Sequence, residues 1–276
     1  MPPGQEHCAN CGEPTPAAFC ASCGQRNVDY RRPLRELLSD AFGELFQLDS
    51  RIGRTLTPFL FRPGRLTNEF LAGRRTHYSS PMRLYLLTSV AYFLALSWLG
   101  PGQIETDSPV ASTPAERRLA IEREAETFAR FGELGVRLHT RLLALAELGE
   151  VELARDLGRA FLAQAPTAMF FLLPAFALLL EGLYLGSKRF YVEHLVFSLH
   201  FHAFAFVAQV PGMLLGRTLQ QALNAATVAY LVVALRTVYR QSWPRTLWKS
   251  AALLAGYSVV LTLALLAMAV VAILAE

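Results

Sequence analysis

The chain has 276 residues, of which 53% are hydrophobic and only 17% are charged, and its mean hydropathy is +0.31. A soluble globular protein of this length does not need so much apolar sequence to fill its core, so the composition argues against a soluble protein and indicates a membrane protein. The formal net charge is +4, and the basic residues cluster beside the apolar segments.

All four cysteines lie near the amino terminus, in the stretch CANCGEPTPAAFCASCGQ. They form two C-x2-C pairs separated by eight residues, and a glycine follows each pair: Cys8 with Cys11, and Cys20 with Cys23. Such turns point both thiolates at one centre, and glycine supplies the positive φ that follows the second cysteine. The spacing predicts one structural Zn²⁺ ion with four cysteine ligands. One alternative is a pair of disulfides, which a reducing cytosol disfavours. The other is a redox dithiol, which the lack of a preceding strand disfavours.

Residues 1–25 are therefore predicted to be a small zinc ribbon. Eight residues between the pairs allow only a tight hairpin with almost no core, so metal binding would supply most of its folding free energy, about 10 kcal/mol or more at neutral pH. Residues 1–23 contain no Lys or Arg. That argues against nucleic-acid binding by the ribbon and favours protein recognition or a structural cap.

Residues 26–82 are a predicted cytosolic connector that begins with an amphipathic helix. Apolar side chains recur at helical spacing without a slip: Leu34, Leu37, Leu38, Ala41, Phe42, Leu45 and Phe46. The opposite face carries Glu36, Asp40 and Glu44 and is poorly matched to anionic lipid. We expect this helix to pack on the protein's own spans, with docking in a partner's groove as the alternative.

The rest of the connector, DSRIGRTLTPFLFRPGRLTNEFLAGRRTHYSSP, is too broken by prolines for a membrane span. Its aromatic residues suit headgroup depth, and its arginines can meet lipid phosphates. These features indicate a candidate headgroup or interfacial site, formed by Arg62, Arg65, Arg74, Arg75 and Tyr78. Anchoring by positive charge on the cytosolic side explains the same arginines more simply.

This amino-terminal third resembles a bacterial zinc-ribbon membrane-protein family, the one catalogued as domain of unknown function 3667. The shared pattern is a ribbon, an amphipathic helix and a series of marks before the first apolar window: Asp49, Arg62, Pro63, Gly64, Gly73, Arg75, Tyr78 and Pro81. The later stretch VEHLVFSLHFHAF is similar to a span of the same family. The resemblance implies an integral inner-membrane protein and no assigned biochemical activity.

Five apolar windows approach or reach the roughly 17–25 residues that cross a bilayer. They cover residues 84–99, 166–185, 195–215, 222–238 and 251–274. The first is short, but Tyr85 and Trp98 stand near its ends as interfacial aromatic residues. The predicted architecture is an all-α integral membrane protein with about five transmembrane helices, the first over 83–100 and four more within 166–276.

The distribution of Arg and Lys predicts the orientation of these spans. Basic residues precede the first span, Lys188 and Arg189 join the second to the third, and Arg240, Arg245 and Lys249 join the fourth to the fifth. No cleavable signal peptide is visible at the start of the sequence. We expect an amino terminus in the cytosol and a carboxyl terminus outside, in a bacterial cytoplasmic (inner) membrane.

The segment 101–165 is predicted to be an external helical loop. Thr113 and Glu116 have the spacing of a capping box, with Pro114 at the first helical position. Residues 100–165 contain eight Arg against eleven Asp plus Glu, as expected outside the membrane. We expect two or three amphipathic helices here.

Ionisable residues within the later spans form a second candidate site, because such residues are costly in lipid and usually face the protein interior. They are Glu181, Glu193, His194, His200 and His202. Glu193 and His200 share one helix face, whereas His202 points almost opposite, so this helix alone cannot build a three-histidine metal site. A structural Glu–His contact that locks two helices is the plainer interpretation.

Three functions are compatible with these features. The first, which we favour, is a membrane scaffold or regulator that binds a cytosolic protein partner. The second is a small-molecule, lipid or proton-coupled transporter that uses Glu181, Glu193 and His200. The third is an intramembrane metalloenzyme with a second metal ion. The chain contains no G-x-S-x-G, P-loop or H-E-x-x-H motif, so no catalytic or cofactor-binding residue is predicted and an enzyme is the less favoured class.

Overall fold

The computed structural model describes residues 7–15, 19–25, 51–99, 113–148 and 150–275. Within these ranges the chain is helical and contains no strand, apart from an isolated antiparallel bridge between His7 and Pro14. Ten helices are described: α1 (Ile52–Phe61), α2 (Arg65–Leu71), α3 (Pro81–Leu99), α4 (Pro114–Arg123), α5 (Ala125–Ala129), α6 (Gly132–Ala146), α7 (Glu150–Leu183), α8 (Tyr191–Leu215), α9 (Arg217–Tyr239) and α10 (Trp243–Ala275). The predicted amphipathic helix over 34–46 lies outside the described residues.

Four of these helices contain segments long and apolar enough to cross a membrane: Ala163–Leu183, Tyr191–Leu215, Arg217–Tyr239 and Trp243–Val271. The prediction of an all-α chain with several membrane-spanning candidates is therefore confirmed for the described residues, with four candidate spans. Helix α3 has 19 residues but is not among the four, and Pro81 and Arg83 occupy its first turn. The count of five spans is not confirmed.

Helices α7 and α10 extend well beyond the predicted windows. Helix α7 runs for 34 residues from Glu150 and continues past Pro166 and Pro174, so one helix contains both the end of the predicted external loop and the second span. Helix α10 begins at Trp243 and runs for 33 residues. At 1.5 Å per residue, each is about 50 Å long and exceeds the roughly 30 Å hydrocarbon core. Hydropathy windows miss such extensions because charged turns dilute the apolar signal.

Residues 1–92 and 173–257 form one compact unit. Its core is a cluster of apolar side chains from the carboxyl end of α7 and from α8, α9 and α10: Phe176, Leu180, Tyr184, Phe197, Phe201, Leu231, Ala234, Leu235, Val238 and Leu253. Phe176 is completely buried and its ring stacks on that of Phe201, with centroids 5.5 Å apart. The predicted four-span region thus packs through large interdigitating side chains.

Residues 93–172 and 258–276 form a second unit, which includes helices α4, α5 and α6. Thr113 and Glu116 make the predicted capping box at the start of α4, with reciprocal bonds of 3.3 and 2.8 Å. Arg117 donates from Nη2 to the carbonyl of Leu148 at 2.7 Å and so ties α4 to the residues that follow α6. The two or three helices expected in this segment are present as three short helices and the first turns of α7.

Helices α1 and α2 form a hairpin that packs against α8 and α9. The hydroxyl of Tyr230 donates to the carbonyl of Phe59 at 2.7 Å, and Asn68 Nδ2 donates to the carbonyl of Thr237 at 3.2 Å. The rings of Phe59 and Phe204 meet edge to face, with centroids 6.1 Å apart. Pro63 thus lies between two short helices, and these helices pack on the candidate spans.

The turn of this hairpin requires glycine at position 64. Gly64 has φ of +80°, and a Cβ there would lie 2.9 Å from the carbonyl oxygen of Ala234 and 3.0 Å from Thr237 Cβ and Val238 Cγ2. Both the left-handed backbone and the close helix approach exclude a larger residue. The glycine of the R-P-G motif, Gly64, is therefore required by the structure.

We expect Gly64→Ala to lower the free energy of unfolding by about 2–4 kcal/mol, because it combines a left-handed conformation with an overpacked contact. Gly53→Ala is the matched control: Gly53 lies in α1 with ordinary φ and no atom within 4 Å of an added Cβ. Alanine should stabilise the helix there by about 0.5–1 kcal/mol. SDS-induced unfolding in mixed micelles measures the stability of both variants. Equal unfolding midpoints for the two variants would contradict this packing.

Candidate functional site: the cysteine cluster and its contact loop

Each C-x2-C pair folds into the same turn. The amide of the first cysteine donates to the carbonyl five residues ahead, and the amide of the following glycine donates back to the first cysteine, all at 2.7–2.9 Å. Gly12 and Gly24 have the positive φ that the sequence predicted, +81° and +70°. The two cysteine pairs therefore lie in turns with the same backbone hydrogen bonds.

The four sulfur atoms converge on one point. Cys8 Sγ lies 3.7 Å from Cys23 Sγ, Cys11 Sγ lies 3.6 Å from Cys20 Sγ, and all four atoms are within 4.8 Å of one another. A tetrahedral ion with metal–sulfur bonds of about 2.3 Å separates its ligands by about 3.8 Å, whereas a disulfide needs about 2.05 Å. The cysteines can therefore hold one metal ion. In the described ranges, no other group of three or more His, Cys, Asp or Glu residues has comparable geometry.

The electrostatics of the cluster also favour a bound cation. The backbone amide of Cys23 lowers the pKa of Cys20 to about 6, so this thiol is readily deprotonated. At Cys11 the backbone amide of Glu13 lowers the pKa, but desolvation and the neighbouring sulfur atoms outweigh it and raise the pKa to about 12. Four thiolates at this spacing repel one another, and a divalent ion removes that repulsion.

The second turn is joined to the rest of the unit through Gln25. Its Nε2 donates to the carbonyl of Gly73 at 2.7 Å, and its Oε1 accepts from the amide of Arg75 at 3.1 Å. Gly73 has φ of +82°, and a Cβ added there would lie 2.9 Å from Ala9 Cβ in the first turn. We call residues 73–80 the contact loop, because both cysteine turns touch it.

The contact loop borders a small cavity on its other side. The cavity measures about 10 Å³ and is lined by Leu66, Phe70, Arg74, Arg75, Tyr78, Ser79 and His200. Of the residues predicted as a headgroup or interfacial site, Arg74, Arg75 and Tyr78 are thus brought together. Arg62 and Arg65 lie at the turn between α1 and α2 and do not line this cavity.

The three histidines of α8 each have a different partner. His194 Nδ1 lies 2.5 Å from the hydroxyl of Tyr239, and His200 Nδ1 lies 3.0 Å from Thr67 Oγ1. His202 Nδ1 donates to the carbonyl of Ser198 at 2.9 Å, so its neutral ring accepts at Nε2 from the hydroxyl of Tyr257, also at 2.9 Å. Every histidine thereby links α8 to another helix.

The two acidic candidates do not join the histidines. Glu193 pairs with Arg189 at 3.2 Å, one turn earlier in the chain, and Glu181 is half-buried in α7. Four of the five predicted polar residues, Glu193 and the three histidines, therefore lie in separate pairwise contacts. Thr67, Tyr239 and Tyr257 were missed by sequence reasoning, because partners 45–133 residues away leave no local pattern.

Comparison with known proteins gives one match. Residues 49–93 match the profile of the family described as "Protein of unknown function (DUF3667)". The match confirms the resemblance to this family and covers the hairpin α1–α2, the contact loop and the first part of α3. No curated protein and no solved structure matches the chain.

We expect Thr67→Val to lower the free energy of unfolding by about 1–2 kcal/mol, because it keeps the side-chain shape and removes the hydrogen bond between Thr67 Oγ1 and the buried His200 Nδ1. Thr262→Val is the control, since this threonine is exposed and bonds only to the carbonyl of Ser258 in its own helix. The control should change by less than about 0.5 kcal/mol. A loss no larger for Thr67→Val than for Thr262→Val in SDS-induced unfolding would refute the structural role of this contact.

Proposed function

We propose that this protein is a multi-pass membrane scaffold or regulator, which presents a structural zinc ribbon to a protein partner in the cytosol. The double hydrogen bond from Gln25 to the contact loop carries the proposal. It fixes the cysteine turns to a segment that packs on the membrane helices, as a recognition module needs in order to hold a partner at a membrane.

Zinc is the ion we assign to the cluster. Four cysteine ligands without an open position suit a structural Zn²⁺ site, where the ion stabilises the fold and leaves no place for a substrate. The two turns have few other sources of stability: Phe19 is the largest apolar side chain between the pairs, and it is 59% exposed. Metal binding would thus supply most of the folding free energy of the ribbon.

The exposed Phe19 is the residue through which we expect the partner to bind. It directly precedes Cys20 and so extends from a turn whose shape the metal fixes. Aromatic side chains on rigid turns are efficient anchors because they bury a large area and lose little conformational entropy. The absence of Lys and Arg from residues 1–23 favours a protein over a nucleic acid.

A transporter that uses Glu181, Glu193 and His200 is the second candidate, and the side-chain contacts weigh against it. Each of the three histidines of α8 forms a hydrogen bond with a Thr or Tyr of another helix, and Glu193 pairs with Arg189. A proton relay needs groups that exchange protons in series. An intramembrane metalloenzyme has less support still, because in the described part of the chain the metal-like geometry belongs to the cysteines alone.

We further propose that α3 is a fifth span and that the membrane is the bacterial cytoplasmic membrane. At 19 residues, α3 is about 28 Å long, close to the thickness of the hydrocarbon core. Five spans would put the two termini on opposite sides of the membrane, and the basic residues at Lys188, Arg189, Arg240, Arg245 and Lys249 favour a cytosolic amino terminus.

Elemental mass spectrometry of the detergent-purified chain should find about one zinc ion per chain, bound by the four thiolates. The double variant Cys8→Ser and Cys20→Ser should lose it, and so should a deletion of residues 1–24. His77→Ala is the control and should keep the metal, because His77 is exposed and outside the cluster. A metal ion that persists in the double variant would contradict a single ribbon site and indicate a second one in the membrane.

A photo-crosslinking amino acid at position 19 should capture one defined protein in living cells, because Phe19 is the proposed anchor. The adduct should disappear when Cys20→Ser is added. A crosslinker at Phe131, which is 69% exposed in the second unit, is the matched control and should not capture that protein. If position 19 captures nothing, or the same protein as position 131, the proposed role of the ribbon is wrong.

A further inference from the structure

The contact loop contains an unusual group of buried hydroxyls. Among the described residues, Thr76 Oγ1, Ser79 Oγ and Ser80 Oγ are shielded from solvent and have no hydrogen-bond partner. Buried hydroxyls are nearly always paired, so three orphans within five residues indicate a missing ligand or water. Ser79 is only 5% exposed and lines the small cavity beside the loop.

The charges around the cavity select an anion. Arg74 and Arg75 line it with Ser79, and the guanidinium of Arg75 is held over the ring of Phe70, 4.7 Å from its centroid. Residues 51–83 contain seven arginines and a single acidic residue, Glu69. Guanidinium groups and hydroxyls together match the oxygens of a phosphate group, which accept several charge-assisted hydrogen bonds at once.

The cavity lies between the cysteine turns and a candidate membrane span. The amide of Arg75 bonds to Gln25 of the cysteine turns, which belong to a polar segment without an apolar span. The opposite wall includes His200, which lies within the candidate span Tyr191–Leu215. Arginines between a polar module and a membrane helix commonly pair with lipid phosphates.

One of the residues that line the cavity, Arg74, is held in an ion pair with Glu69. The cavity volume of about 10 Å³ accommodates about one water molecule. Arg74 Nε bonds to the carboxylate of Glu69, and the hydrogen bond from Arg74 lowers the pKa of Glu69, which therefore stays charged at neutral pH. The Arg74 side chain is 43% exposed and can rotate. A phosphate group would compete with Glu69 for Arg74.

We propose that this cavity binds a phosphate group, either that of a lipid headgroup or free phosphate. Arg74 and Arg75 pair with the phosphate oxygens, and Ser79 donates its hydroxyl to the same group. Glu69 occupies Arg74 in the absence of the anion. This site is separate from the proposed anchor Phe19, because its side chains come from the contact loop and α2 and not from the cysteine turns.

The test uses the full chain in detergent and three probes: inorganic phosphate, dioctanoyl phosphatidic acid and dioctanoyl phosphatidylcholine, titrated by isothermal calorimetry. Saturable binding of phosphatidic acid that inorganic phosphate displaces would identify the phosphate group as the determinant. Binding of phosphatidic acid alone would make a lipid the source, and binding of inorganic phosphate alone would make free phosphate the source. If neither inorganic phosphate nor phosphatidic acid shows saturable binding, the proposal is overturned.

Charge variants make the test specific to this cavity. Arg75→Gln should weaken binding by at least about tenfold, because it removes a charge-assisted pair while keeping the backbone bond to Gln25. Glu69→Gln should strengthen binding several-fold, because it releases Arg74. Arg118→Gln is the matched control: its exposed guanidinium pairs with Glu122 in the second unit. Equal affinities for the Arg75 and Arg118 variants would refute the site.

The buried hydroxyl gives an independent readout. Ser79→Ala should raise the thermal midpoint of the ligand-free protein, because it removes an orphan hydroxyl, and should weaken phosphate binding. Ser89→Ala is the control, since the hydroxyl of Ser89 is already bonded to the carbonyl of Leu86 at 3.0 Å. It should lower the midpoint slightly and leave binding unchanged. If Ser79→Ala raises stability without weakening binding, the cavity holds nothing more than a water molecule.

Discussion

The side-chain amide of Gln25 joins the parts of the first compact unit that the sequence separates. It donates to Gly73 and accepts from Arg75, so both hydrogen-bonding groups of one residue are committed to a loop about fifty positions away. The same loop borders a cavity whose far wall includes His200 of a membrane helix. The cysteine cluster, the contact loop and the candidate spans thus form one continuous series of contacts. The polar module is therefore held at the membrane by specific contacts as well as by its covalent connection.

The family-matched segment owes its position to close backbone packing and a few polar contacts. Gly64 brings the hairpin turn against α9, Asn68 bonds to the carbonyl of Thr237, and Thr67 meets His200. Small residues and interhelical hydrogen bonds are the usual means by which helices associate in lipid, where apolar surface alone gives little preference for protein over lipid chains. This explains why a segment too short and too broken to span the membrane still packs on the spans.

Local patterns in the sequence predicted the local features well. The spacing of the cysteines predicted a four-sulfur cluster with two left-handed glycines, and Thr113 with Glu116 predicted the capping box. Hydropathy predicted five spans, four of which are candidate spans in the structure, although helices α7 and α10 extend beyond their apolar windows. These features depend on residues within a few turns of one another, so their physical causes are contained in the local sequence.

The long-range contacts could not be predicted. Helical periodicity placed Glu193 and His200 on one face, but Glu193 pairs with Arg189 and His200 with Thr67, which lies 133 residues away. The arginines at positions 62, 65, 74 and 75 looked equivalent in the sequence, yet only the latter two line the cavity beside the contact loop, together with His200 of α8. Such choices among chemically possible partners depend on tertiary packing, and a single sequence does not contain a local signal for them.

The claim that the metal turns position the contact loop is tested most directly by hydrogen–deuterium exchange of the full chain in detergent, with and without a zinc chelator. The account predicts that removal of the metal accelerates exchange both in the cysteine turns and at the amide of Arg75, which donates to Gln25. Exchange in the core of α8 should remain slow in both states. Faster exchange in the cysteine turns, with residues 73–80 unchanged, would contradict the account and indicate that the loop is held by the membrane helices alone.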